Sequence, residues 1–359
     1  MTSRCLTGLL ASILLLCSGC KETDLASGGG TAGVALYAFD CTTSRVFVWK
    51  DLNALYDSAT APAPDLQLNS TLFKKVTDLA WGGVCFDGQR GTLYLVSETG
   101  TIVRVKNIRS QSGTVPNAEV ISFALSSTGR LTGGKFGQAS LDAATDTLYI
   151  TENGGSNTQI WVVASASTHA QDASIALQAL QMSGDSGGYG VAAASGVVYA
   201  FMEDGGTVGI DALTGPRLRK GTASAFDPNQ VILGANTLLG IYGALALDTG
   251  RGYLFAARHN VDAASSLAPI QVFRTGQFGL SFDQAPAYTL GSAAGQADLR
   301  VLSHPGTKDW LLGLRGQGDS GFDTIYIWKT PLGGTAAKEI TVSPSGSEIK
   351  GVAVDGNAS

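Results

Sequence analysis

Carboxylates recur at one place along this chain, three to five residues after an aromatic. Asp40 follows Tyr37, Glu98 follows Tyr94, Glu152 follows Tyr149 and Glu203 follows Tyr199, with Asn153 and Asp204 beside the last two. Further on, the corresponding place holds basic groups: Arg258 and His259 after Tyr253, and Arg315 after Trp310. Two carboxylates about 10 Å apart repel by about 1.7 kcal/mol at an effective dielectric of ~20. A gathered set would therefore favour a cation, a bound Arg or Lys of a partner, or a raised pKa. Glu98, Glu152 and Glu203 are the candidate metal ligands on that reading. Asp, Asn and Gly also belong in solvated turns, which would need no ligand at all.

Other catalytic patterns are weaker. "GDSGG" (184–188) has the composition of a serine-nucleophile segment. A triad needs a base and an orienting acid brought to it, and a nucleophile elbow needs a strand followed by a helix. Ser186 falls between two expected strands, and "GDSG" returns at 318–321, so turn chemistry explains both. The chain has three histidines, no HExxH segment and no EF-hand loop. No catalytic residue is assigned.

The elements that position the acids come from a repeat. No long stretch after residue 33 has a helical period. What recurs is a small-apolar strand, a turn, a strand with an aromatic, a polar turn, and a third strand rich in Val, Ile and aromatics. "GVCFDGQRGTLYLVSETGTIVRV" (83–105) and "QASLDAATDTLYITENGGSNTQIWVV" (138–163) are clear copies. Fourth strands follow several copies, as in "AEVISFAL" and "KEITVS". The aromatics Tyr37, Tyr94, Tyr149, Tyr199, Tyr253 and Trp310 mark six units with four strands each. A regular period of that size predicts an all-β, six-bladed β-propeller. The N-terminal "VALYAFDCTTSRVFVW" lacks a first strand, and the C-terminal "GVAVDG" is a first strand without a second. Joined, they complete a blade and remove the open edge each would leave.

With "GVAVDG", the apolar-Tyr strand "TLYLV" and the following "IxVx" strand, residues 34–359 resemble six-bladed propellers of the NHL-repeat and gluconolactonase-like kind. The resemblance implies a fold that hosts binding, scaffolding or chemistry. In the lactonase-like proteins a Pro-Asp-Gly or Pro-Asn-Gly segment stands beside a metal ligand; here the equivalent positions are Gly82, Gly137, Tyr189, Gly243 and Leu299. In such folds the turns after the second strands lie on the top face, which places the acids and arginines there as a collar. Trp81, Phe136, Tyr189 and Tyr242 start or precede inner strands, either as an aromatic mouth inside the collar or as packing between blades.

The N-terminus reads as an address. Arg4 supplies positive charge and Leu6–Leu16 a short apolar core, too short to span a bilayer. "LLLCSGC" resembles a bacterial lipobox ending at Cys20, with Cys17 where Leu is usual. The expected organisation is a signal peptide (1–19), a lipidated Cys20 with a flexible tether (20–33), and one propeller domain (34–359). The tether would leave the bottom face and reach at most about 45 Å, biasing the top face away from the membrane. Cys41 and Cys85 are expected near opposite ends of their blades, which disfavours a disulfide. A net charge of −5 without a basic run argues against nucleic acid. Only 15% of residues are charged and 47 are glycine, which suits many tight turns.

These features together predict an exported, lipid-anchored monomer of the cell envelope, periplasmic or at the surface. It would present its top face to a protein, peptide or glycan and catalyse nothing. No cofactor is expected; a divalent cation on the acids would instead mark an envelope hydrolase or lactonase, and an inert top face a structural spacer.

Overall fold

The computed structural model describes residues 33–358, except 155–156, 183–189, 205–206, 215–230, 241–242, 259–267, 279–282, 292–298, 316–323, 334–336 and 342–345. The GDSGG segment with Ser186, Cys20, Tyr189, Tyr242 and His259 lie outside the described residues.

Most strands bury both faces, because each blade is sandwiched between two others. Thr92–Ser97, the "TLYLVS" strand, is buried at all six positions. Such strands read as continuous apolar runs rather than as alternation. Six sheets result, each an antiparallel meander running from an inner to an outer strand. Blade 1 is composite: its inner strand is Ile349–Ala358, followed outward by Gly33–Asp40, Arg45–Trp49 and Leu66–Asn69. The inner strands of blades 2 to 6 are Leu79–Asp87, Lys135–Asp142, Val191–Ala194, Leu245–Asp248 and Leu299–Ser303.

The ring closes where the two chain ends suggested. Leu36 pairs with Val354 and Tyr37 with Ala353, and the ladder runs from Gly33↔Ala358 to Asp40↔Ile349. Six apolar clusters fill the spaces between consecutive blades. One gathers Tyr94, Val96 and Phe123 of blade 2 with Phe136, Ile150 and Trp161 of blade 3. Another joins Leu36 and Phe47 of blade 1 to Leu312 and Ile327 of blade 6. The blades approach closely at the seam, where a Cβ on Gly351 would fall 2.4 Å from Val84 Cγ2.

Two elements depart from the simple repeat. A short helix, Leu52–Asp57, follows the third strand of blade 1; Asp51 caps it by accepting the Asn53 and Ala54 N–H groups. A two-residue strand, Ser174–Ile175, reaches from blade 3 to pair in parallel with the outer strand of blade 2, Val120–Leu125. Buried Arg104 of blade 2 donates to Ala166 O (2.8 Å) and His169 O (3.1 Å) of that excursion. The excursion covers an outer edge that would otherwise be open.

Candidate functional site

The turns after the second strands lie at one end of the ring, the top, and the turns between first and second strands at the other. Asp40 ends the second strand of blade 1, fully buried. It accepts N–H bonds from Thr42 (3.1 Å), Thr43 (3.2 Å) and Glu348 (3.0 Å), and a bond from the Thr43 hydroxyl. It therefore ties its own turn to the start of the inner strand.

Glu98 sits in the top turn of blade 2 between Lys135 Nζ (2.9 Å) and Lys350 Nζ (3.9 Å). Glu152 of blade 3 is fully buried, and both of its oxygens accept hydrogen bonds inside the fold. Oε1 accepts from Arg130 Nε (3.0 Å); Oε2 accepts from Gln159 Nε2 (2.5 Å) and Trp161 Nε1 (2.7 Å). Arg130 also donates to Thr99 O and Gly134 O and lies over the Phe136 ring at 4.6 Å. Phe136 is buried edge-on against Trp161 and offers no face to a ligand. Asn153 is half-buried at the end of the same strand, paired with Thr158. Glu203 and Asp204 end the second strand of blade 4, opposite Val208 and Thr207, and their side chains lie outside the description.

The basic sector differs. Arg258 follows the second strand of blade 5, half-buried, and its backbone N–H donates to Pro269 O (2.8 Å). Its Nε and Nη1 are buried and have no hydrogen-bond acceptor among the described residues. Burial lowers its pKa from the usual arginine value, with no carboxylate to oppose the shift. Arg315 of blade 6 hydrogen-bonds the Tyr326 phenol but leaves a buried Nε without an acceptor. Trp81, half-buried at the start of the inner strand of blade 2, lies beneath Arg300 (5.1 Å) and Lys350 (5.9 Å). The described acids of the collar, Asp40, Glu98 and Glu152, are thus engaged within the fold, whereas Arg258 and Arg315 carry buried N–H groups with no acceptor among the described residues.

A second set of buried carboxylates sits at the bottom ends of the inner strands. Asp87 accepts from the Gln89 and Arg90 N–H groups and from Arg90 Nη1 (2.8 Å). Asp142 accepts from Ala144 N and, across to blade 4, from Gly196 N (2.7 Å). Asp248 takes Arg251 N and Nε, and Asp355 is gripped by Arg109 Nε (2.6 Å) and Nη2 (2.7 Å). The recurring Asp of "CFD", "SLD", "ALD" and "AVD" was the signal for this ring; it reads from sequence as a turn marker only.

Inside the ring is a cavity of about 360 Å³. It is lined by all six inner strands and by turns at the bottom, among them Gln89, Ser195, Thr249, Thr307 and Asn357. Among the described residues the lining turns are all at the bottom, and the cavity opens there. The ceiling is Gln138, a buried side chain that crosses the channel. It donates to Leu245 O (2.6 Å) and accepts from Leu245 N (3.0 Å) and Val191 N (3.3 Å), linking blades 3, 4 and 5. Gly82, at φ +71°, packs on it: a Cβ there would fall 3.0 Å from Gln138 Cγ. Beside the mouth, His304 is buried and stacked on Phe255, and its Nδ1 accepts the Gly306 N–H at 3.0 Å. Burial drops its pKa to about 4, so the ring is neutral at pH 7. Cys41 and Cys85 are free and buried.

No protein-family model matches the chain, and no curated protein matches it. Among solved structures it is similar to a chain in the crystal structure of a nidogen/laminin complex, at TM-score 0.53 and 13% identity, covering 90% of this chain and 98% of that one. It also aligns with a chain of a mitotic checkpoint complex at TM-score 0.43 and 11% identity, covering 77% and 83%. At such identities the likeness to the first extends to the fold, a β-propeller whose architecture serves binding and interaction in many settings.

Proposed function

We propose that this chain is a non-enzymatic binding protein of the cell envelope, anchored through a lipid on Cys20. Its top face receives an acidic group of a protein, peptide or glycan partner. The observation that carries this reading is the half-buried guanidinium of Arg258, with two N–H groups held out of water and given no acceptor among the described residues. An unmet buried donor costs about 1–3 kcal/mol, and a ligand carboxylate would remove that cost on binding. Half-buried Trp81 adds an aromatic ring to the same face. The collar acids support the reading from the other side: Asp40 and Glu152 already satisfy donors within the fold, and Glu98 is paired with Lys135, with Lys350 shared between it and Glu348. A charged group that completes a buried Arg fork gains both energy and orientation.

The test uses the full chain in detergent and a hexaglutamate peptide as probe, read by thermal unfolding and by titration calorimetry. Saturable binding that weakens at least tenfold in Arg258→Met, while Lys106→Met leaves it unchanged, is expected. Equal affinity in wild type and Arg258→Met would overturn the assignment.

A further inference from the structure

We infer that the bottom-opening central cavity is a second binding site, for a neutral, hydroxyl-rich molecule of about monosaccharide size. The volume, about 360 Å³, lies at the small end of the range for ligand pockets. Its chemistry follows from what an inner strand presents to the channel. Each inner strand ends its sheet, so one row of backbone N–H and C=O groups has no strand partner. In an antiparallel ladder these groups alternate residue by residue. Blade 4 pairs Phe201 N with Gly190 O, and blade 5 pairs Ala257 N with Ala244 O and Gly252 N with Asp248 O. The intervening residues Val191, Ala193, Leu245 and Leu247 therefore turn their N–H and C=O groups inward.

Blade 3 satisfies part of this row itself. Gln138 takes Val191 N and both groups of Leu245, Ser140 Oγ accepts from Ala193 N (2.9 Å), and Asp142 takes Gly196 N. Leu247 on blade 5 and the facing inner strands of blades 6, 1 and 2 complete the wall, and Ser303 and Asn357 stand toward the mouth. Such a wall offers donors and acceptors in alternation, which suits hydroxyls, since each can donate and accept.

Two other ligand classes fit worse. An apolar guest would cover backbone groups without replacing their hydrogen bonds with water. An ion would find no opposite charge among the described lining residues: they include no Lys, Arg or Glu, Asp142 is engaged with backbone N–H groups, and His304 is neutral at pH 7.

The test measures unfolding midpoints of the full chain with D-glucose, N-acetyl-D-glucosamine or myo-inositol up to 20 mM, and with D-glucuronate as the charged comparison. Asn357 and Thr249 are exposed at the mouth, so Asn357→Trp and Thr249→Trp serve as two independent plugs that spare the core. At ten times its dissociation constant a neutral probe should raise the midpoint by about 2 °C. Glucuronate should not, and both plugs should abolish the rise while Arg258→Met, at the opposite end of the ring, keeps it. The inference is overturned if no neutral probe shifts the midpoint, if glucuronate shifts it equally, or if the rise survives in folded plugged variants.

Discussion

Glu152 of blade 3 and Arg258 of blade 5 occupy comparable places at the top ends of their second strands and have opposite environments. The Glu152 carboxylate holds Arg130, Gln159 and Trp161 together in a dry space between blades 2 and 3. Removing one member of a buried, hydrogen-bonded pair typically costs 3–5 kcal/mol. Glu152→Ala should therefore lower stability by about 3 kcal/mol in urea denaturation, without changing peptide binding once folding is restored. Arg258→Met should do the reverse, leaving stability unchanged or raised by up to about 2 kcal/mol, because it deletes unmet buried donors. A loss of stability in Arg258→Met would make that residue a structural prop.

His304 gives a pH dependence at the same scale. The unfolded chain takes up a proton at this residue near pH 6.5, the folded chain only near 4. Between those values the unfolded state binds more protons, so stability must fall as pH drops from 6.5 towards 4. A depression of that size is worth about 3 kcal/mol in total. Urea midpoints at pH 7, 5.5 and 4.5 should show the decline in wild type and a shallower one in His304→Asn, whose amide oxygen can still accept from Gly306. Parallel profiles for the two proteins would contradict the assignment.

The inner strands are the elements on which both sites depend, and Gln138 is their keystone. Gln138→Ala would strand Leu245 N, Leu245 O and Val191 N at the channel ceiling. A cost of about 2–3 kcal/mol is expected, visible as a lowered denaturation midpoint; a neutral result would mean that water replaces the side chain. The sequence carried the strands well but not this tie. "TLYLV", "TLYIT" and "VVYAF" announce second strands because Tyr94, Tyr149 and Tyr199 are buried at one repeated position; in blade 5 Phe255 takes that place and Tyr253 is half-buried. Gln138 in "FGQASLD" looks like any polar residue until blade 3 is set in register against blade 4. The same holds for Glu152: its acid is plain in the repeat, but its neutralising Arg130 comes from the preceding connection and Gln159 from the next strand. Periodicity reports what recurs in every blade, and partners that occur once leave no repeat to read.

For the whole molecule, closure and orientation are the matters of consequence. The seam is legible in sequence because a strand at each end lacked what the other supplied, and the ladder Gly33↔Ala358 to Asp40↔Ile349 joins them. Arg109 of blade 2 adds a bidentate grip on Asp355. The described chain thus begins at the bottom of the ring, on the same face as the cavity mouth, and the Arg258 face lies opposite. With a lipid on Cys20, the proposed acidic partner would meet the protein from the side away from the membrane. Cys20→Ala should abolish metabolic labelling with palmitate and move the protein from the detergent phase to the aqueous phase in phase separation. Unchanged partitioning would remove the anchor from the account.

The most direct test of the top-face assignment sets its two chemistries against each other in one experiment: thermal unfolding of the chelated full chain with hexaglutamate, and separately with millimolar Ca²⁺, Mg²⁺, Mn²⁺ or Zn²⁺. A midpoint raised by hexaglutamate, lost in Arg258→Met and indifferent to every cation, is the predicted result. A midpoint raised by one cation and lost in Glu98→Gln or Glu203→Gln, with no response to the peptide, would contradict the account and make the collar a metal site.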